Sequence, residues 1–229
     1  MLGKLLRVLR DDPRRIPERV WGEILGLWLA TNRRVVLEGK VVLIGRPLID
    51  VRKDCKLYVG DGVTLTSKNR GYHLNMAGPA KLFAYWPGAV IRIGAGTGIA
   101  GSCITAHNSV TIGKRCLIAA NCQIMDSNAH DLSFPNVEDR FHSIGASLPV
   151  VIEDDVWIGI NTVVLPGVRI GRGSVIGANS VVSANIPPMV VARGNPAEVV
   201  VDYRMTEGGG AGPDSYFVAE DGTEERIQL

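Results

Sequence analysis

An aliphatic residue recurs at every sixth position in the C-terminal half of the chain. The series consists of Ile152, Ile158, Val164, Ile170, Ile176 and Val182. An α-helix repeats its faces every 3.6 residues and a β-strand every two, so neither keeps a strict period of six. A fixed short period is typical of a solenoid, and six-residue repeats are typical of a parallel β-helix. The sequence therefore predicts an all-β chain whose short strands stack coil upon coil.

The same period extends upstream, with one interruption. It runs through Ile93, Ile99 and Thr105, slips by one residue, and resumes at Ile112, Ile118 and Ile124. We expect all these side chains to point into the core. Three positions after each of them stands a residue such as Gly, Asn or Asp that tolerates a positive φ, which predicts a turn at each corner. Four positions after, the residue is small or β-branched. Cys103, Cys116 and Cys122 fall in this column, and we interpret them as packing residues rather than disulfides or metal ligands.

The repeat divides the chain into three parts. Residues 1–34 predict a basic helical arm, residues 35–200 the β-helix, and residues 201–229 an acidic tail. Two segments break the period, at about 67–89 and 126–149, and we expect each to be a loop thrown out from a coil. Because solenoids use their coils for stability and their loops for chemistry, the two loops are where we look for function.

Charge and hydropathy restrict the partners. Residues 1–34 carry eight Lys and Arg against four Asp and Glu, which fits either contact with an anionic membrane surface or a solvated helix face. The basic charges of the core are interspersed and form no aromatic-rich stripe, so we expect no nucleic-acid partner. Arg7 and Arg10 interrupt any early apolar run, and residues 24–30 are too few to span a bilayer. We expect a cytoplasmic protein, with the inner face of the membrane as its possible place of action.

The second loop holds the densest group of polar residues. It begins Asp126-Ser127-Asn128-Ala129-His130-Asp131. A histidine beside carboxylates can act as a general base near neutral pH, because a neighbour holds its tautomer and stabilises the imidazolium. From composition alone, a solvated loop histidine is the alternative.

Six motifs lie within residues 93–200: Thr111-Ile112-Gly113, the loop 126–130, Val156-Trp157-Ile158-Gly159, Pro166-Gly167-Val168, Ile186-Pro187-Pro188 and Gly194-Asn195-Pro196-Ala197. With these motifs the segment resembles the hexapeptide-repeat acyltransferases, and within them the galactoside, maltose and polysaccharide O-acetyltransferase branch. The resemblance implies a left-handed parallel β-helix, assembled as a homotrimer, with acetyl-CoA as co-substrate between neighbouring subunits and no tightly bound cofactor. It also implies that His130 deprotonates an acceptor hydroxyl, which then attacks the thioester directly.

The resemblance further implies which residues contact acetyl-CoA. Trp157 is expected to wall the groove, and Gly159, Ala178 and Ser183 to touch the pantetheine arm. The basic residues that the family places near the CoA phosphates are replaced here by Ala184 and Glu198. Arg193 is our candidate for their role, with Arg204 as a second choice.

The acceptor site is less well defined. Our candidates are Asp126, Asn128, His107 and His73. For His107 the alternative is a corner histidine without a role, and for His73 it is a solvated loop.

The leading prediction is an acetyl-CoA-dependent O-acetyltransferase that acts on a carbohydrate hydroxyl, of the kind found in surface-polysaccharide precursors. Two alternatives stay open: a sugar N-acetyltransferase on the same scaffold, and a non-catalytic β-helix that serves as an interaction module. A zinc carbonic anhydrase on this solenoid needs three His ligands, two of them five residues apart. The histidines at 73, 107, 130 and 142 contain no such pair, so we expect no metal.

Overall fold

The computed structural model describes residues 26, 29, 31–205, 216–218 and 224–226 of the 229-residue chain. Within these residues, short strands follow one another almost without a break. In chain order they are β1 (Val35–Leu37), β2 (Val42–Gly45), β3 (Leu48–Val51), β4 (Lys56–Val59), β5 (Thr64–Ser67), β6 (Lys81–Ala84), β7 (Val90–Ile93), β8 (Gly98–Ala100), β9 (Cys103–Ala106), β10 (Ser109–Ile112), β11 (Leu117–Ile118), β12 (Gln123–Met125), β13 (Val150–Ile152), β14 (Trp157–Ile158), β15 (Val163–Val164), β16 (Arg169–Ile170), β17 (Val175–Ile176), β18 (Val181–Val182), β19 (Val190–Gly194), β20 (Ala197–Asp202), β21 (Tyr216–Val218) and β22 (Glu224–Arg226).

Strands three apart in the chain lie side by side, which makes the body a three-sided prism. Sheet A has the order β1-β4-β7-β10-β13-β16, and sheet C has the order β3-β6-β9-β12-β15-β18. Sheet B has the order β2-β5-β8-β11-β14-β17-β19-β20. Pairing within the sheets is parallel, except that β19 and β20 are antiparallel. The expected fold class, a left-handed parallel β-helix, is confirmed.

Aliphatic side chains from successive coils stack in register inside the prism. Sheet A contributes Ile93, Ile112, Ile152 and Ile170, sheet B Ile99, Ile118, Ile158 and Ile176, and sheet C Ile104, Ile124, Val164 and Val182. All of them are buried. Burying one such side chain contributes about 1.5–3 kcal/mol, so the ladders are the main source of stability.

The sequence prediction for the register was wrong at Thr105. Ile104 is fully buried and Thr105 only half-buried, in register with Met125. The cause is a shortened corner before β9, where the positive φ falls on Gly101. Ser102 consequently fills the corner position expected for Cys103, and its Oγ donates to the carbonyl of Ala119 at 2.6 Å.

The other corners follow the predicted turn pattern. A positive φ is found at Gly96, Arg115, Asn121, Asp155, Asn161, Gly167, Gly173 and Asn179. Cys116 and Cys122 are buried in the packing column, and both are free thiols. The corner column was therefore identified correctly wherever the register was.

Two excursions interrupt the stack of coils, and both carry polar residues. The first is shorter than expected, because β6 lies inside the segment 67–89 and pairs with β3 and β9. The second runs from the end of β12 to the start of β13 and contains a 3-10 helix, Val137–His142.

Most of the helical arm expected for residues 1–34 lies outside the described residues, although Leu29 is buried against the core. At the C-terminus, β20 extends the β-helix to Asp202, two residues into the segment expected to be tail, and β21 pairs with β22. In the part of the chain described here, no helix has the length and apolar character needed to cross a membrane.

Candidate functional site

A long groove of about 700 Å³ runs along the outer face of sheet B. Trp157, Gly159, Ala178 and Arg193, four of the five residues expected to contact acetyl-CoA, line it. His73 and its neighbours Tyr72 and Leu74 reach it from the first excursion, and Val201 and Tyr203 reach it from the end of β20. Apart from these residues, the groove is lined mostly by aliphatic side chains and by backbone atoms. The groove therefore suits a slender, largely apolar ligand.

Strand alternation presents Trp157 to this groove. Ile158 points into the core, so its neighbour Trp157 points outward and is 41 % exposed. It stands in register with Leu117 and Val175 on the adjoining coils. The result is an apolar stripe with an indole in the middle.

Coil stacking explains the glycine at position 159. A Cβ there would lie 2.6 Å from the backbone nitrogen of Ala178 on the next coil, closer than real Cβ contacts allow. Ala178 itself is exposed in the groove. The small residue at 159 is therefore required by the fold, whereas the one at 178 leaves space that a ligand can use.

Ser183 and Arg193 occupy different surroundings. Ser183 follows β18 of sheet C, is exposed, and lies outside the groove lining. Arg193 lies on β19, opposite Glu198 of β20. Within one chain the structure therefore does not bring Ser183 to the other four.

His130 lies on the second excursion, at the corner that follows β12 of sheet C. Its side chain is exposed, and its Nδ1 is 2.9 Å from the carbonyl oxygen of Arg140. Since a carbonyl oxygen can only accept, Nδ1 carries the proton in this hydrogen bond. In the neutral ring Nε2 is then unprotonated, which is the form that a general base needs. The ring of Phe141 lies nearly parallel to it, with the centroids 6.4 Å apart.

Several contacts fix the excursion around this histidine. The Ser143 hydroxyl also donates to the carbonyl of Arg140 at 2.8 Å, and the Nε of Arg140 donates to the carbonyl of Leu132 at 2.7 Å. Gly145 donates its N–H to the carbonyl of Ala129, and a Cβ at 145 would lie 2.5 Å from the backbone oxygen of His130. The backbone of residue 130 is thus held against two other segments of the same loop, around Arg140 and Gly145.

Asp126 is placed differently from our expectation of an acceptor ligand. It is fully buried, and its two carboxylate oxygens accept the backbone N–H groups of His107 and Asn108, both at 2.7 Å. It therefore ties the excursion to the coil below. Asn128 is exposed, and its carbonyl accepts the N–H of His130 at 2.8 Å.

His107 belongs to an aromatic cluster beneath the excursion. Its ring stacks on Tyr85 with centroids 5.2 Å apart, and Trp86 meets it edge-on at 6.1 Å. Burial lowers the pKa of His107, and the nearby Asp126 partly opposes this shift. Its Nδ1 and the Nε1 of Trp86 are both buried without a hydrogen-bond partner. Sequence reasoning missed Tyr85 and Trp86, although Ala84-Tyr85-Trp86-Pro87 interrupts the repeat with bulky residues at a corner.

The candidate residues form two clusters on one chain. His73, Trp157, Gly159, Ala178 and Arg193 line the groove on sheet B, while His130, Asn128, Asp126 and His107 gather where sheet C ends. Among residues 31–205, no group of three His, Cys, Asp or Glu side chains is placed to hold a metal ion.

Comparisons with known proteins agree with this architecture. The family model described as bacterial transferase hexapeptide (six repeats) matches residues 149–184. An assigned acetyltransferase of Schizosaccharomyces pombe is 44 % identical over 91 residues, 40 % of this chain and 42 % of that protein. The Escherichia coli protein WbbJ, assigned as a lipopolysaccharide biosynthesis O-acetyl transferase, is 42 % identical over 106 residues, 44 % of this chain and 54 % of WbbJ.

A solved structure gives a similar result. A hexapeptide-repeat acetyltransferase of Vibrio cholerae is 35 % identical with a TM-score of 0.46; the match covers 52 % of this chain and 69 % of that one. In the complex of the same protein with acetyl coenzyme A, the match covers 64 % of its chain. This chain spans about half the length of the curated relatives named above. The family model matches part of this chain's own repeat, and the chain is therefore similar to the hexapeptide-repeat transferases.

Proposed function

We propose that the protein is an acetyl-CoA-dependent O-acetyltransferase that uses His130 as its general base. The observation that carries this proposal is the 2.9 Å hydrogen bond from His130 Nδ1 to the carbonyl of Arg140. It fixes the tautomer in which Nε2 has a free lone pair, and the exposed ring can present that lone pair to an incoming alcohol.

The groove on sheet B supports the choice of co-substrate. It is apolar, is walled by Trp157, and leaves space beside Ala178 for the thin pantetheine arm. Arg193 lines the same groove and supplies a guanidinium for a phosphate of CoA. The Vibrio cholerae relative, solved with acetyl coenzyme A, supports the same assignment.

The reaction proceeds in one transfer step. His130 Nε2 takes the proton of the acceptor hydroxyl while the hydroxyl oxygen bonds to the carbonyl carbon of the thioester. Backbone N–H groups stabilise the negative charge that develops on the carbonyl oxygen. The tetrahedral intermediate collapses, the carbon–sulfur bond breaks, and the CoA sulfur takes the proton from the imidazolium. No acyl-enzyme forms.

A second copy of the chain completes the site in this proposal. His130 and the groove belong to different faces of one prism, so a neighbour must supply one to the other. The excursion that carries His130 also exposes apolar side chains, Leu132, Phe134, Phe141, Ile144 and Leu148. Apolar side chains gathered in this way are typical of a surface that packs against a partner. A homotrimer with three shared sites agrees with these observations.

The acceptor in this proposal is a carbohydrate hydroxyl. The relative WbbJ, assigned to lipopolysaccharide biosynthesis, supports this choice of acceptor. The excess of basic residues at positions 1–34 supports action on a precursor at the inner face of the membrane.

The test is release of CoA thiol from acetyl-CoA in the presence of a panel of sugars. We expect His130→Ala to lower kcat about 10²–10⁴-fold, the usual contribution of a general base. His142→Ala is the matched control, because His142 is exposed on the same excursion and its nearest ring is also Phe141; it should change kcat less than about two-fold. Equal turnover by His130→Ala and wild type would refute the assignment of the base.

A further inference from the structure

A second pocket, of about 420 Å³, opens at the corner that follows β3 and β6. Arg34, Asp50, Arg52, Lys53, Tyr85, Trp86 and Pro87 line it. We call it the basic pocket. Three cations against one carboxylate give its lining a net charge of +2. Aromatic rings combined with Arg and Lys side chains suit a ligand that carries both a sugar and an anionic group.

Within residues 31–205, the cations of this pocket, Arg34, Arg52 and Lys53, have no acidic partner. The guanidinium of Arg52 stacks over the ring of Tyr85, 4.1 Å from its centroid. Arg34 donates to the carbonyl of Val51 at 3.1 Å, which holds its side chain beside the pocket. The charges of Arg34 and Arg52 are therefore held at the pocket.

The basic pocket lies directly below the catalytic excursion. Val51, Ala84 and Ala106 are in register on neighbouring coils, so the residues that follow them, Arg52, Tyr85 and His107, form a ladder up one corner. Each step is a contact: Arg52 on Tyr85, Tyr85 on His107, and the His107 N–H on Asp126, where the excursion of His130 begins.

The ladder has the length of a sugar with an attached diphosphate. The coil of Arg52 and the coil of Asp126 are three steps apart, which is about 14 Å at the usual strand spacing. A hexose beside the excursion can therefore extend its phosphoryl groups down to Arg52 and Lys53. Tyr85 and His107, stacked on each other, lie between these two ends.

We propose that the acceptor is a glycosyl diphosphate, with its diphosphate in the basic pocket and its sugar hydroxyl at His130. This inference rests on the proposed function, because it names the acceptor of that same site. Nucleotide-linked and lipid-linked sugars share this chemistry. The groove on sheet B lies on a different face, so the basic pocket is separate from the site assigned to acetyl-CoA.

Binding is tested without any turnover. Inorganic pyrophosphate is titrated calorimetrically into the protein with CoA present at saturation, so that a CoA phosphate site is already filled. We expect one pyrophosphate per chain, and at least ten-fold weaker binding to the Arg52→Gln/Lys53→Gln double variant. Lys53→Gln alone, which removes no ring contact, should also weaken binding.

Arg92→Gln is the matched control. Arg92 stacks over Tyr58 at 3.9 Å, the same kind of contact as that of Arg52, but it lies on sheet A outside the basic pocket. It should bind pyrophosphate within two-fold of wild type. Equal binding by the double variant and wild type would overturn the subsite.

Turnover then identifies the source of the diphosphate. The arms are UDP-galactose, galactose linked through diphosphate to farnesol, and neutral methyl galactoside. We expect one of the two diphosphates to exceed the neutral glycoside at least ten-fold in kcat/KM, and the double variant to lose that advantage while its KM for acetyl-CoA stays unchanged. A neutral glycoside that performs equally well would overturn the assignment. Arg52-dependent pyrophosphate binding without CoA release from any acceptor would instead refute the proposed function and leave the subsite standing.

Discussion

Replacing Asp126 by Asn tests whether this buried carboxylate holds the catalytic excursion to the coil below it. In the wild-type protein the two carboxylate oxygens accept the N–H groups of His107 and Asn108 at 2.7 Å, and the side chain is fully buried. An asparagine side chain has one acceptor oxygen and one NH₂ group. It can satisfy one of the two backbone donors, and it faces the other donor with a donor of its own.

The free energy of unfolding should fall by about 2–4 kcal/mol. A hydrogen bond to a charged acceptor contributes about 1.5–3 kcal/mol, and a buried donor left unpaired costs about 1–3 kcal/mol. The measurement is urea denaturation followed by circular dichroism, with the slope compared between variants to confirm that the same surface is exposed on unfolding.

Asp154→Asn is the matched control for this measurement. Asp154 accepts a single backbone N–H, that of Lys114 at 2.8 Å, and its side chain is 40 % exposed. Water can replace that bond, so the loss should stay below about 1 kcal/mol. If Asp126→Asn and Asp154→Asn lose the same amount, the buried carboxylate is not the tie that we infer.

Two further predictions concern the surroundings of the base. Gly145→Ala should lower kcat several-fold and leave the KM for acetyl-CoA unchanged, because a Cβ there meets the backbone oxygen of His130 at 2.5 Å. Gly78→Ala is the control and should leave both parameters unchanged, because a Cβ at residue 78 meets nothing within 4 Å. Equal kinetics for the two variants would contradict this prediction. Burial lowers the pKa of His107, so the unfolded chain takes up the proton first as the pH falls through its ordinary pKa. Stability should therefore decrease as the pH falls from 7.5 to 5 more steeply in wild type than in His107→Gln, as urea denaturation at each pH will measure; parallel profiles would exclude a contribution from His107.

The period of six was sufficient to predict the prism, because each inward position of a β-helix is fixed by its sheet. The prediction failed at Thr105 because the corner before β9 is one residue shorter than the others. A fixed period does not show at which position of the coil that residue is missing. The structure shows the cause as a positive φ at Gly101, which moves Ile104 into the core. Ile104, the aliphatic residue next to Thr105, was the signal in the sequence that could have revealed the shortened corner.

The candidate site was predicted unevenly, for a related reason. Trp157 and Ala178 lie on strands or corners whose outward direction follows from the repeat, and the structure places both in one groove. The role of Asp126 was not predictable, because it depends on which backbone N–H groups the coil below presents. Tyr72 joined the groove from an excursion that has no period to read.

The most direct test of the central claim is activity in mixed oligomers of two inactive variants. His130→Ala lacks the base, and Ala178→Phe fills the groove that we assign to acetyl-CoA. If one subunit supplies the base and its neighbour the groove, random mixing in equal amounts restores both parts in about a quarter of the sites. We therefore predict that co-expressed variants recover about a quarter of the wild-type rate of CoA release. A mixture that remains as inactive as either variant alone would contradict a site shared between copies of the chain.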